Sequence, residues 1–428
     1  MSDIKIQPMR RLNGEITPPP DKSISHRSIM LGALADGTTK ARNVLLGEDV
    51  KATIGAFENL GVKIDMLPDN AVVVHGAGLH GLKKSAAALY LANSGTTMRL
   101  LMGILAGQPF ESVLTGDESL SKRPMKRVAK PLRMMGASIS GPDDANRAPL
   151  TVKGGSLKPI DYKTEVASAQ VKSSIILAGL YANGTTSVRE PSKSRDHTER
   201  MLKIFGVNVD IDDLKVSIKG PSTLKARDID VPGDISSASF FIVAAAILNG
   251  SSFTIKSVGL NPTRTGILEI LNAMSAKISV LDKRDVAGEP VGDLRVNSSD
   301  LKGVVIEGDI IARAIDELPI LMVAACFAHG TTIIKQAGEL RVKETDRISS
   351  MVENLKNMGA DIEAVNDDVI IKGNRPLKGV FVNSHKDHRT AMSLAIAALA
   401  AKGDTVIDDA ECVAISFPGF FNMLNGLK

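Results

Sequence analysis

The 428-residue chain contains no tryptophan, and aromatic residues make up 3% of it, so any core it builds must be mostly aliphatic. Only two cysteines occur, too few for a disulfide framework, with Cys326 in an apolar run and Cys412 among acidic residues. That usage points to a reducing compartment. The opening MSDIKIQPMRR lacks the apolar core of a secretion signal, and the longest apolar runs, such as Ala244–Leu248 with its flanks, fall short of the ~18 residues needed to span a bilayer. A cytoplasmic protein without a membrane partner is expected. Neither sign of charge dominates: 52 basic against 48 acidic residues leave a net +4, too small a bias to argue for nucleic acid. Any positive focus must therefore be local.

Several cofactor motifs are missing as well. No Walker A sequence is present, and His385-Lys386-Asp387-His388 lacks the further ligands of a metal site. Gly76-Ala77-Gly78-Leu79-His80-Gly81 has the spacing of a dinucleotide fingerprint, but the acidic residue expected about 20 positions on is absent. Similar glycines at Lys153-Gly154-Gly155 and Lys372-Gly373 suggest that all of them punctuate strand ends.

What the sequence does contain is a repeat. Its length exceeds one ordinary domain, and its 43% hydrophobic and 23% charged composition is that of a soluble globular chain with at least two cores. A short phrase with a small residue at its centre recurs around Gly61, Gly136, Gly206, Ser275 and Gly359, at steps of 75, 70, 69 and 84 residues, with a partial copy at Leu424-Asn425-Gly426. Each copy reads as a helix end, a left-handed residue just past it, and a strand beginning at once. Upstream of each lies a helix of small and aliphatic residues followed by a glycine: 28–34, 98–105, 173–180, 240–248, 318–327 and 390–400. These helices are apolar nearly all round and should be buried on every side. The order fits six β-α-β-α-β-β repeats of an α/β fold. Pro18-Pro19-Pro20 and Val231-Pro232-Gly233-Asp234 suggest two crossings between two groups of three, giving an N-terminal domain at 21–233 and a discontinuous C-terminal domain of 1–20 plus 234–428.

Unusual polar residues gather where these helices begin. Asp21-Lys22-Ser23-Ile24-Ser25-His26-Arg27 puts two cations and two hydroxyls at a helix start, where unpaired N–H groups and the helix dipole already favour an anion. Comparable clusters are Asn93-Ser94-Gly95-Thr96-Thr97 with Arg99, Ser121-Lys122-Arg123-Pro124, Ser168-Ala169-Gln170 with Lys172, Arg195-Asp196-His197, Asp316-Glu317, 341–347 and Asp387-His388-Arg389. If the helices of each domain run parallel, these termini can converge on one electropositive cleft. Each residue also has a plainer reading: Asn93, Ser121 and Ser168 as simple caps, Arg99 and Lys172 as surface charges over apolar neighbours, Asp387 as a group that only orients Arg389. Recurrence in register across six repeats favours the anion site.

Taken in order, these stretches resemble the 5-enolpyruvylshikimate-3-phosphate synthase family: DKSISHR at 21–27, NSGTT with Arg99, KRPM at 122–125, SAQVKS at 168–173, RDHTE at 195–199, PGD at 232–234, NPTRTG at 261–266, IDELPI at 315–320, RVKETDR at 341–347, DHR at 387–389 and SFPGF at 416–420. The Ser-Ala-Gln form is similar to one bacterial branch. The resemblance implies an inside-out α/β barrel in each of two domains and transfer of the enolpyruvyl group of phosphoenolpyruvate to the 5-hydroxyl of shikimate 3-phosphate, with release of phosphate. It implies a monomer acting on small molecules, with no cofactor and no metal. By motif match, Ser23, Arg27, Ser168, Gln170 and Arg195 would hold shikimate 3-phosphate, and Gly95, Arg123, Arg347 and Arg389 phosphoenolpyruvate. Lys22 would touch both. Asp316 would accept the 5-hydroxyl proton, while Glu344 and Lys343 would manage protonation at the methylene carbon and expulsion of phosphate. The family's inhibitor glyphosate would lie against Gly95.

Four positions depart from the family pattern. Pro20 replaces a small residue, Ala92 stands where Gly is usual, Ala169 where another branch has Ser, and Ile415 where other branches have Lys. Two other readings share the anion chemistry: a UDP-N-acetylglucosamine enolpyruvyl transferase and a non-catalytic phospholigand-binding homologue. Asp-Lys-Ser-x-Ser-His-Arg and Ser-Ala-Gln speak against the first. Retention of Asp316 and Glu344 in a cationic site speaks against the second.

Overall fold

Leaving aside three short ones (Glu118–Lys122, Pro142–Ala145 and Ile310–Arg313), twelve helices of the described residues alternate between two environments along the chain. In the computed structural model, which describes residues 3–427, they are α1 (Lys22–Leu34), α2 (Glu48–Asn59), α3 (Gly95–Ala106), α4 (Lys126–Met134), α5 (Ala169–Gly179), α6 (His197–Ile204), α7 (Ile235–Ile247), α8 (Gly266–Ala273), α9 (Leu318–Cys326), α10 (Arg347–Asn357), α11 (His388–Leu399) and α12 (Phe420–Asn425). The odd-numbered helices are buried nearly throughout: every residue from Leu318 to Cys326 and from His388 to Leu399 is out of solvent. The even-numbered ones bury a single stripe, as Val50, Ile54 and Phe57 do in α2. An apolar helix with no polar face has to be enclosed on all sides, which is what its sequence demands.

Each repeat carries one small sheet. In the third, Asp161–Lys163 runs parallel to Gly184–Arg189, which pairs antiparallel with Lys215–Gly220, which in turn pairs with Val209–Asp212. The second and fifth sheets follow the same order within their own stretches. In the first, the parallel edge is supplied by Leu224–Lys225 and Ile229–Asp230, and in the fourth by Asn13–Ile16. The sixth departs from the repeat expected of it. Its sheet has three strands, because the chain after Thr405–Ile407 turns into a 3₁₀ segment and α12, and Ile4–Ile6 supplies the antiparallel partner.

Five of the expected helix-to-strand turns have left-handed backbone: Gly61 (φ 86°), Gly136 (109°), Gly206 (86°), Ser275 (70°) and Gly359 (96°). The strands start two or three residues later. Gly426 does not share this geometry; its φ of −69° continues the helical conformation, since no strand follows. The strand-end glycines have a different cause. A Cβ on Gly76, Gly154, Gly220 or Gly373 would lie 2.0–2.3 Å from a carbonyl oxygen at the C-terminal end of the preceding odd-numbered helix, namely that of Ala35, Leu105, Gly179 or Ala328. Gly76 and Ala77 are thus the end of a strand packed on α1, and 78–81 form a loop with no helix following that could bind a pyrophosphate.

The chain divides into two compact units. The N-terminal unit comprises Pro20–Val231 with Val286–Glu289; the C-terminal unit comprises Met1–Pro19, Pro232–Asp285 and Pro290–Lys428. The breaks fall just before the boundaries expected at 21 and 234, and the short 286–289 segment was not foreseen. Each unit has its own aliphatic core, one built around α1, α3 and α5, the other around α7, α9 and α11.

Candidate active site

In the N-terminal unit the first turns of four helices are tied together by side chains that the sequence singles out. Asp21 caps α1, its carboxylate accepting from the Ile24 N–H at 2.9 Å. One turn on, the Arg27 guanidinium is 4% exposed and donates to Thr198 Oγ1 on α6 (2.7 Å), to Ser173 Oγ on α5 (3.1 Å) and to the Ser23 carbonyl (3.0 Å). Arg27 therefore joins α1, α5 and α6. Lys22 Nζ lies 3.1 Å from Asp49 Oδ2 on α2.

α3 enters the same cluster because it approaches α5 closely. A Cβ on Gly103 would stand 2.2 Å from the Ser174 carbonyl oxygen, so only glycine lets the two backbones come this near. That approach brings Arg99 Nη1 to 2.5 Å from Gln170 Oε1, while Gln170 Nε2 donates to Thr96 Oγ1 at 3.0 Å. Arg99 is 4% exposed and no surface charge. Two of the cap expectations need correction. Ser94, not Asn93, caps α3, and Asn93 instead accepts from the Arg123 guanidinium and donates to Asp117. Ser121 lies within the short helix Glu118–Lys122, whose cap is Asp117. Ser168 does cap α5. Gly95 opens α3 with both guanidiniums against it: a Cβ there would lie 2.9 Å from Arg99 Nη1 and 3.1 Å from Arg123 Nη1. Arg195 lies one residue before Asp196, which stands at the start of α6 and holds Arg200 at 3.0 Å, while His197 pairs with Glu289 at 2.7 Å.

Lys172 fits neither expectation made for it. Its ammonium is 2% exposed and lies 2.8 Å from Glu190 and 2.7 Å from Glu199, both also buried. Burial alone pulls this ammonium down, but the two carboxylates outweigh it and hold its pKa above the ordinary lysine value. No local pattern marks this cluster, because its members come from α5, from α6 and from the residue just after the strand Gly184–Arg189.

A second hydrogen-bonded chain links α1, α2 and α3. His26 Nδ1 is 2.7 Å from Thr53 Oγ1, which is 2.7 Å from Thr97 Oγ1, which is 2.6 Å from Ser94 Oγ. Burial, and then the charges of Lys22 and Arg27, push the His26 pKa well below its usual value. The imidazole is neutral at pH 7.

The C-terminal unit holds the remaining candidates around one arginine. Arg347, the first residue of α10, is 1% exposed and donates from Nε to Asp387 Oδ2 (2.8 Å) and from Nη2 to Glu344 Oε2 (2.5 Å), with Nη1 3.4 Å from Asp316 Oδ1. Burial disfavours this charge, but Asp387, Glu344 and Asp316 more than compensate and raise its pKa. Arg389 donates to the Asp316 carbonyl at 3.1 Å and stands 3.8 Å from its carboxylate; Lys343 is 3.7 Å from the same carboxylate. Asp387 caps α11 through the Arg389 and Thr390 N–H groups, yet its carboxylate is also the main partner of Arg347. It does more than orient Arg389. Three carboxylates and three cations balance in this cluster, so a simple electropositive surplus is not what it presents.

Ala92, where the family pattern has glycine, adopts a left-handed φ of 48°. This β-carbon-bearing residue holds a conformation that costs about 1–2 kcal/mol without glycine. It leads directly into the Asn93–Gly95 turn.

A family model described as EPSP synthase (3-phosphoshikimate 1-carboxyvinyltransferase) matches residues 6–424. A 3-phosphoshikimate 1-carboxyvinyltransferase of Desulforamulus reducens is 53% identical over 422 residues, covering 99% of this chain and 98% of the relative. One of Geobacillus kaustophilus is 54% identical over 418 residues, covering 97% and 98%. A solved structure of EPSP synthase from Acinetobacter baumannii superposes with a TM-score of 0.89 at 48% identity, covering 99% of this chain and 98% of that one.

Proposed function

The chain belongs to the EPSP synthase family, and on that premise we propose that it transfers the enolpyruvyl group of phosphoenolpyruvate to the 5-hydroxyl of shikimate 3-phosphate and releases phosphate. The observation that carries this reading to the level of residues is the joining of four helix N-termini by Arg27, Arg99 and Gln170. N–H groups, hydroxyls and guanidiniums gathered in this way suit a ligand with a phosphate and a carboxylate.

Ser23, Arg27, Ser168, Gln170 and Arg195, all in the N-terminal unit, would hold shikimate 3-phosphate. Gly95 and Arg123 would take part in binding phosphoenolpyruvate together with Arg347 and Arg389, and Lys22 would serve both ligands. For Arg347 to reach a ligand one of its carboxylate contacts must give way, and the 3.4 Å contact to Asp316 is the longest. In the reaction, a proton adds to the methylene carbon of phosphoenolpyruvate and the 5-hydroxyl oxygen bonds to its neighbouring carbon while losing its own proton. Collapse of that tetrahedral adduct breaks the bond to phosphate and returns a proton from the methyl carbon. Asp316 would accept the hydroxyl proton, and Glu344 with Lys343 would deliver and recover the proton on carbon and assist the departing phosphate. We propose that the enzyme works as a monomer on these two small molecules. Among the described residues no helix is long and apolar enough to cross a membrane, and both cysteines are free, which fits the proposed cytoplasmic location.

The test is acceptor choice. Phosphate release from phosphoenolpyruvate should proceed with shikimate 3-phosphate and not with UDP-N-acetylglucosamine; the opposite preference would overturn the reading.

A further inference from the structure

The buried Lys172, Glu190 and Glu199 play no part in the chemistry above, yet they stand directly behind the residues assigned to one substrate. Glu190 Oε1 accepts from the Ser168 backbone N–H at 3.1 Å and from Ser194 Oγ at 2.6 Å, and its Oε2 lies 2.8 Å from Lys172 Nζ. One carboxylate thus fixes the first residue of the Ser-Ala-Gln stretch and the residue just before Arg195. Lys172 carries the tie onward to Glu199 in the first turn of α6. Their chain neighbours, Ser173 and Thr198, are 2.6 Å apart and are the two hydroxyls that hold Arg27.

Two carboxylates to one ammonium leave a formal negative charge in the interior, which is costly unless something offsets it. Here Glu199 lies in the first turn of α6 and Glu190 accepts the N–H of the residue that caps α5, so two helix N-termini stabilise the charge. A hydrophobic trio of the same volume could fill this space, but it could not bind the Ser168 N–H or the Ser194 hydroxyl. Packing alone does not account for the cluster.

We propose that Glu190, with Lys172 and Glu199, is a positioning unit that sets the placement of Ser168, Arg195 and Arg27 for shikimate 3-phosphate. This rests on the assignment of those three residues to that substrate. Glu190 touches no ligand and acts through them.

The consequence is selective. In Glu190→Gln the amide has one oxygen for two sets of donors, so its NH₂ must face either the Lys172 ammonium or the Ser168 N–H. Loss of one charge-assisted hydrogen bond in the supporting shell should raise the KM for shikimate 3-phosphate about 10-fold, with the KM for phosphoenolpyruvate and kcat at saturation within about 2-fold. Ser194→Ala, which removes only the hydroxyl, should shift the same KM in the same direction by less. Steady-state kinetics on both full-length variants and on Arg195→Ala read this out. Both KM values rising together, or kcat falling with KM unchanged, would overturn the proposal. If Arg195→Ala weakens shikimate 3-phosphate while Glu190→Gln and Ser194→Ala do not, the positioning unit is wrong and the site assignment stands. If Arg195→Ala has no effect either, the site assignment itself fails. Should Glu190→Gln not fold, Ser194→Ala decides alone: an unchanged KM for shikimate 3-phosphate sinks the idea.

Discussion

Gly95 is crowded by charge instead of by carbon. A methyl group there would press on the Arg99 and Arg123 guanidiniums at 2.9 and 3.1 Å, and both are ends of flexible side chains that can shift. Gly95→Ala should therefore fold normally, weaken phosphoenolpyruvate through the displaced Arg123, and weaken glyphosate more, because the overlap costs roughly 1–3 kcal/mol and falls hardest on the ligand filling the space. Inhibition constants measured beside the phosphoenolpyruvate KM check this; an unchanged glyphosate constant would remove Gly95 from the site. A second residue-scale prediction concerns His26. Its folded-state pKa lies below the unfolded value of 6.5, so the unfolded chain binds more protons at low pH. The stability that His26 contributes is complete above about pH 6.5 and is lost as pH falls, by up to about 1.4 kcal/mol per pH unit until the folded pKa is reached. Melting temperature should drop between pH 7 and 5 less steeply in His26→Asn than in the parent. At this scale the sequence was only partly legible: it marked Arg347 and Asp387, but not their 2.8 Å pairing across 40 residues, and it offered nothing that distinguished buried Lys172 from a surface lysine.

At the scale of elements, Gly103 decides how close α3 and α5 can lie. Unlike Gly95, its added methyl would meet a backbone carbonyl at 2.2 Å, which cannot rotate away. Gly103→Ala should cost about 1–3 kcal/mol of stability and also separate Arg99 from Gln170, raising the shikimate 3-phosphate KM. A variant with parental melting temperature and kinetics would show that the contact is not structural. Helix positions were readable because local chemistry dictates them: Asp21, Ser168, Asp346 and Asp387 accept from N–H groups of the turns that follow them, although the cap of α3 is Ser94, one residue past the expected Asn93. The five left-handed turns were readable for the same reason, even at Ser275, where the phrase around it identified the turn despite the missing glycine. The sixth sheet was not, since its third strand comes from residues 4–6, some 400 positions away in the chain, and no local pattern records such a pairing.

At the scale of the whole molecule, chain order and spatial order part company at the N-terminus. Ile6, Leu12 and Ile16 belong to the core of the C-terminal unit, and the strands carrying Ile6 and Ile16 pair with Thr405–Ile407 and with Ser252–Ile255. Burying three such side chains is worth about 1.5–3 kcal/mol each, a sum comparable with the ~5–15 kcal/mol that holds a typical domain together. Deleting residues 1–19 should therefore unfold the C-terminal unit and abolish turnover, while thermal melting retains a transition from the N-terminal unit; full activity in the truncated chain would contradict this placement.

The proposed division of labour gives shikimate 3-phosphate to the N-terminal unit and the acid–base carboxylates Asp316 and Glu344 to the C-terminal unit. Chemistry on phosphoenolpyruvate should then wait for the acceptor, because proton transfer to carbon leads nowhere without the hydroxyl that traps the product. Release of inorganic phosphate from phosphoenolpyruvate, followed with and without shikimate 3-phosphate, measures this dependence directly. The account predicts stoichiometric release with the acceptor present and none in its absence. Equal release in both conditions, or none in either, would contradict it.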